Sequence, residues 1–220
     1  MRSALVTGGT GRVGSAIAAR LEREGWSVFA AGRADADLAN VDEARALVER
    51  AVRELEGLDL LVNAAGEGFT PKPVEQLTDA DWEAAFGATA KGSFFVTQAA
   101  APHLRASRGC VVMIEDVAAY QPWPSFAAHC AAKAAQAMLT RVLARALAPE
   151  VRVCGIAPGP VAVEAEQKQR RAAETLLGRV GSPDDVAAAV VYLAEASFVT
   201  GTTLVVDGGR LLQSTDRLTP

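Results

Sequence analysis

A single α/β domain built on a doubly wound parallel sheet is the fold this sequence predicts, and three observations predict it. Short apolar runs alternate with longer amphipathic ones along the chain, a glycine-rich turn follows the first run and opens the first helix, and the 220 residues suit one core. Single cores remain favourable to roughly 250 residues. Strand-helix-strand alternation needs crossover connections, and these produce a parallel sheet with helices on both faces.

The apolar runs at 4–6, 28–31, 58–62, 111–114, 151–156 and 203–206 read as strands. Helices are expected over 12–24, 41–56, 79–105, 125–147, 164–176 and 183–194. Between the second strand and the second helix lie only Gly32, Arg33, Ala34, Asp35, Ala36, Asp37, Leu38, Ala39 and Asn40. A crossover helix plus another strand needs at least ~10–12 residues, so the edge strand is expected to be missing or vestigial. The last helix has a strong start, with Ser182 as N-cap followed by Pro183, Asp184 and Asp185. With no repeat, low-complexity stretch or charged tail, one domain over 1–220 is expected.

Composition bounds the function. Half of the residues are hydrophobic and the net charge is -4, which argues against a nucleic-acid surface, since that needs clustered Lys and Arg. No charged-then-apolar leader follows Met1, and no apolar run approaches the ~18 residues of a membrane span, so a cytoplasmic protein without membrane partners is expected. Cys110, Cys130 and Cys154 are odd in number and lack CxxC spacing. That fits a reducing compartment and no structural metal.

The turn Thr7-Gly8-Gly9-Thr10-Gly11-Arg12-Val13-Gly14 sits where a strand passes into a helix. Glycines there let backbone N–H groups approach a phosphate, and the helix N-terminus adds partial positive charge, so a dinucleotide diphosphate is the expected ligand. About 20 residues on, NAD-binding proteins of this architecture carry an acid for the adenosine ribose. Here Arg33 holds that place, and with Arg12 it could grip a 2′-phosphate, which favours NADP(H). If Arg33 is a solvated loop residue, Asp35 could instead take the ribose, which would favour NAD(H).

With these residues in hand the sequence resembles the short-chain dehydrogenase/reductase family, with its Rossmann-type fold, over nearly the whole chain. The resemblance rests on the TGxxxxxG turn, on Asp37-Leu38, on Asn63-Ala64-Ala65-Gly66 and on Ala157-Pro158-Gly159. The run Gly178-Arg179-Val180-Gly181-Ser182-Pro183-Asp184-Asp185-Val186-Ala187 and the later Phe198-Val199-Thr200-Gly201 and Val206-Asp207-Gly208-Gly209 complete it. The narrower likeness is to pteridine and dihydromonapterin reductases, through Arg12 in the turn and Asp116 where most members have a serine. It implies an NADP(H) site formed by Gly8, Thr10, Gly11, Arg12, Val13, Gly14, Arg33, Asp37, Leu38, Asn63, Ala64, Ala65, Gly66, Lys133, Pro158, Gly159 and Val161.

The family's Asn-Ser-Tyr-Lys tetrad falls, by the resemblance, on Thr89, Asp116, His129 and Lys133, so that only the lysine is retained. His129 lies 13 residues after Asp116 and four before Lys133, which puts His129 and Lys133 on one helical face. The resemblance implies that Lys133 holds the nicotinamide ribose and that His129 acts as the acid. An ionised Asp116 would favour imidazolium and orient the ring, whereas Lys133 would disfavour it. Three readings stay open: an NADP(H)-dependent reductase of a C=O or C=N bond, such as one in a pterin-like ring; a lyase, dehydratase or isomerase on the same site; and a catalytically silent NADP(H)-binding protein. Thr89, Ala132 and Cys154 stand where the family has hydrogen-bonding residues, which weakens the first.

Phe69 and Trp123 are expected in loops overhanging the nicotinamide, able to stack on a flat substrate or simply to pack. The stretch 161–171 lies where the family has its mobile substrate lid. The family also assembles through the helix expected at 125–147 and through the last strand, so a homodimer or homotetramer acting on a small molecule is expected.

Overall fold

A computed structural model describes residues 1–66, 70–161 and 163–213. Six parallel strands form one sheet: β1 (Ser3–Thr7), β2 (Ser27–Ala31), β3 (Leu60–Asn63), β4 (Cys110–Ile114), β5 (Arg152–Pro158) and β6 (Thr203–Val206). Their order is β2-β1-β3-β4-β5-β6, so β2 closes one edge and the strand that could have lain beyond it is absent among the described residues. Among the described residues seven α-helices connect them: α1 (Arg12–Arg23), α2 (Val41–Leu55), α3 (Asp79–Phe86), α4 (Ser93–Ser107), α5 (Ala127–Leu147), α6 (Lys168–Ala172) and α7 (Pro183–Glu195).

The inner strands β1, β3, β4 and β5 bury both faces, as helix-covered parallel sheets do, and alternate residues serve different cores. Leu5, Leu61, Val111, Met113 and Val153 pack under α2, α4 and α5. Val6, Val62, Val112, Ile114 and Ile156 pack under α1 and α7, against Ile17, Leu21, Val190 and Leu193. No helix among the described residues is long and apolar enough to cross a membrane.

The short link between β2 and α2 is tied by its own side chains. Asp35 accepts a hydrogen bond from the Gly32 N–H at 2.9 Å and pairs with Arg50 at 2.8 Å. Asn40 then caps α2, accepting from the Asp42 N–H at 3.0 Å. The chain thus enters α2 with no room for a further strand.

Two helical expectations need correction. The helix expected over 79–105 is broken by a π-helical turn, Gly87–Gly92, between α3 and α4. Glycines at its two ends let it press against the β2–α2 link, where a Cβ at Gly92 would lie 3.0 Å from the Leu38 carbonyl oxygen. The helix expected over 164–176 reduces to one 3-10 turn, Ala165–Gln167, and the five-residue α6. The Thr175 hydroxyl there lies 2.9 Å from the carbonyl oxygens of both Ala172 and Arg179, and Gly178 reverses the chain at φ +64.

Candidate active site at the carboxyl ends of the strands

The glycine turn joins β1 to α1 in a conformation other residues could not adopt. Gly8 has φ +66, and a Cβ on it would come 2.6 Å from the Ala64 carbonyl oxygen. At Gly14 a Cβ would lie 2.1 Å from the Gly8 carbonyl oxygen. Gly11 is the N-cap of α1, with no side-chain cap and no acid in the first turn, so the helix N-terminus presents uncompensated positive potential to the cleft. This cradle fits a phosphate group.

Around it runs a groove of about 220 Å³, lined on the turn side by Gly8, Thr10 and Gly11. Its far wall comes from Arg33, Asp37 and Leu38 beyond β2, and its floor from Ala64, Ala65 and Gly66 beyond β3. Asp37 is engaged with its own loop, accepting from the Ala39 N–H at 3.0 Å. Asn63 is buried at the end of β3, where its amide donates to Thr97 at 3.0 Å and to the Met113 sulfur at 3.4 Å.

The two arginines expected to share one anion have different surroundings. Arg33 lines this groove, whereas Arg12 forms an ion pair with Glu164 in the segment after β5.

The neighbouring cavity, about 630 Å³, shares Ala64 and Gly66 with the groove. Asp116, His129 and Lys133 converge on it, facing Pro158, Gly159 and Val161 at the end of β5, and Trp123 also lines it. A Cβ at Gly159 would fall 2.7 Å from the Asp207 Cα, so glycine is required where β5 and β6 end together. Phe69 lies outside the described residues.

Asp116 caps the 3-10 turn Val117–Ala119, accepting from the Ala118 N–H at 2.8 Å through Oδ1. Its other oxygen, Oδ2, lies 3.6 Å from His129 Nε2. The i, i+4 spacing of His129 and Lys133 on α5 holds, and both are buried. The lysine is turned inward: Nζ donates to the Ile114 carbonyl at 2.8 Å and to Gln136 Oε1 at 3.0 Å. A buried ammonium needs such partners. Burial pushes its pKa down, while Asp116 and Glu115 act in the opposite sense.

Thr89 does not line the main cavity. It sits buried in the π-helical turn and faces an adjoining pocket of about 250 Å³ that His129 also lines. Its backbone carbonyl accepts from the Ser93 hydroxyl, Ser93 accepts from Gln136 Nε2 at 2.9 Å, and Gln136 reaches Lys133. A buried chain of hydrogen bonds therefore links the break in the helix to the lysine.

Sequence reasoning missed Gln136 and Glu115. Glu115 is 2% exposed and lines the cavity beside Asp116. Thr140 donates to it at 2.6 Å, Thr203 at 3.3 Å and Tyr120 at 3.2 Å. A carboxylate directly after the apolar run of β4, with glycine at 155 on the neighbouring strand, was the available signal.

Comparison with known proteins agrees with this architecture. A family model described as enoyl-(acyl carrier protein) reductase matches residues 30–210. The chain is 34% identical to 3beta-hydroxysteroid dehydrogenase 1 of Eggerthella lenta, over 96% of this chain and 94% of that protein. Its backbone resembles the ligand-free aldohexose dehydrogenase of Thermoplasma acidophilum, with TM-score 0.91 and 27% identity over 100% of this chain and 97% of that one. It also resembles the 3-ketoacyl-(acyl-carrier-protein) reductase of Brucella melitensis complexed with NADH, with TM-score 0.90 and 26% identity over 96% and 98% of the two chains. With a glycine cradle on the first helix, a six-stranded parallel sheet and full-length relatives of one kind, the chain belongs to the short-chain dehydrogenase/reductase family of nicotinamide-dependent oxidoreductases.

Proposed function

We propose that the chain is an NADP(H)-dependent reductase of a C=O or C=N bond in a small molecule, with Asp116 and His129 supplying the proton and Lys133 orienting the nucleotide. The observation that carries this reading is the convergence of those three side chains on one cavity that shares Ala64 and Gly66 with the glycine groove. The nicotinamide supplies hydride when bound. Asp116, fixed through Oδ1, presents Oδ2 to the His129 ring and sets its orientation. In this reading the imidazole passes its proton to the substrate oxygen or nitrogen.

Arg33 on the groove wall favours the 2′-phosphate form of the nucleotide. Asp35, the acid that would favour NAD(H), is already engaged by Gly32 and Arg50. Trp123 on the cavity wall suits a flat substrate, such as a pterin-like ring. Three free cysteines fit a cytoplasmic setting, and apolar side chains exposed on α5 and β6 suit a homodimer or homotetramer.

The test is NADPH binding by fluorescence, followed in the same cuvette by its oxidation against dihydropterins, quinones and simple ketones. His129→Phe is expected to lower the rate by about 10²–10⁴-fold, the usual contribution of a positioned acid, with NADPH affinity little changed. A Phe variant as fast as the parent would remove His129 from the mechanism. A second reading, a catalytically silent or non-redox NADP(H)-binding protein, is favoured by one observation: Lys133 is tied to Ile114 and Gln136. It expects NADPH binding without oxidation.

A further inference from the structure

The cavity has a charged wall that the proton-transfer residues do not use. Arg171 and Arg210 both line it, and both pair with a single carboxylate, Glu174, at 3.0 Å and 2.8 Å. Two guanidiniums against one carboxylate leave one positive charge in a partly enclosed space. Arg210 is the more enclosed of the two, with 14% of its side chain exposed.

Arg210 is also preorganised. Its guanidinium lies 5.0 Å from the centroid of the Trp123 ring, and its Nε is 3.4 Å from Gln121 Oε1. Its Nη1 faces Glu174, while Nη2 has no hydrogen-bond partner among the described residues. A planar guanidinium held in this way binds a carboxylate with little further loss of side-chain freedom.

From this arrangement we infer that the substrate is a planar molecule bearing one carboxylate, bound by Arg210 and Arg171 while its reacting bond reaches His129. The inference rests on the reductase reading only for the reacting bond. Glu174 marks the position a carboxylate takes between these arginines, and one unbalanced positive charge matches one acid group. At the opposite end the Asp116 carboxylate lies against the His129 ring, so that end offers a carboxylate no arginine.

The experiment uses two probes differing in one group, 4-formylbenzoate and its neutral isostere 4-formylbenzamide, titrated against the NADP⁺-loaded protein by tryptophan fluorescence. The benzoate is expected to bind about tenfold more tightly, equivalent to ~1.4 kcal/mol, and the advantage is expected to shrink at 0.5 M salt. Arg210→Gln is expected to abolish the preference. Glu174→Gln, which removes the competing carboxylate, is expected to tighten benzoate binding several-fold with the benzamide unmoved; it keeps the test open if the arginine variant misfolds. Equal affinities in the parent, or a preference indifferent to both substitutions, would overturn the inference. Because binding is read without turnover, a preference retained while NADPH is never oxidised counts against the reductase reading alone. NADPH oxidation by neutral aldehydes without acid preference counts against this inference alone.

Discussion

Glu115 is held by three hydroxyls, and burial keeps its carboxyl above the ordinary value of 4.5 despite those bonds. The folded protein therefore retains that proton to higher pH than the unfolded chain does. The stability this contributes is complete below pH 4.5 and is lost as pH rises through the folded-state pKa. Glu115→Gln removes the titration, so its melting temperature relative to the parent is expected to climb between pH 4.5 and pH 8 and to level off below 4.5. A difference that stays constant over that range in a thermal-melt series would show that Glu115 does not titrate as its burial implies. The same residue shows what the sequence concealed. Asp116, His129 and Lys133 were legible through the resemblance to a family tetrad, whose spacings of 13 and four residues this chain keeps. Glu115 and Gln136 depend on what neighbouring strands and helices bring to them, as does the engagement of Arg12 by Glu164, 152 residues away.

Among the elements, strands and long helices were readable because buried faces impose a period on the sequence. The break at Gly87–Gly92 was not, because Gly87-Ala88-Thr89-Ala90-Lys91-Gly92 is compatible with continuous helix; its cause is the approach of that turn to Leu38 and Ala39. This gives opposing expectations for Gly92→Ala. Helix propensity alone would stabilise the variant by up to about 1 kcal/mol. The added Cβ would lie 3.0 Å from both the Leu38 side chain and its carbonyl oxygen, and overpacking of that kind costs about 1–3 kcal/mol. Crowding is expected to win, lowering the midpoint in urea. Because Leu38 lines the nucleotide groove, NADPH affinity is expected to fall several-fold as well. A variant more stable than the parent with unchanged affinity would mean that the Leu38 segment moves aside freely.

At the scale of the whole molecule, the apolar side chains exposed on α5 and on β6 lie in two separate places among the described residues. On α5, Met138 and Val142 lie four residues apart on one helical face and are 53% and 50% exposed. At the far edge of the sheet, β6 exposes Leu204 and Val205, and Tyr192 of α7 and Phe198 are exposed as well. An uncovered edge strand carrying large apolar side chains invites pairing with another chain, and stable proteins cover such edges. Two distinct self-complementary patches generate a closed tetramer, because each builds its own two-fold contact, whereas one patch alone stops at a dimer. The protein is therefore expected to sediment as a tetramer at micromolar concentration. Charged substitutions on one patch, Met138→Glu with Val142→Glu, are expected to give dimers, as are Leu204→Lys with Val205→Lys on the other, and all four together monomers. A parent that sediments as a monomer would leave both patches without the partner copy proposed for them. Dimers unaffected by either pair would place the interface elsewhere.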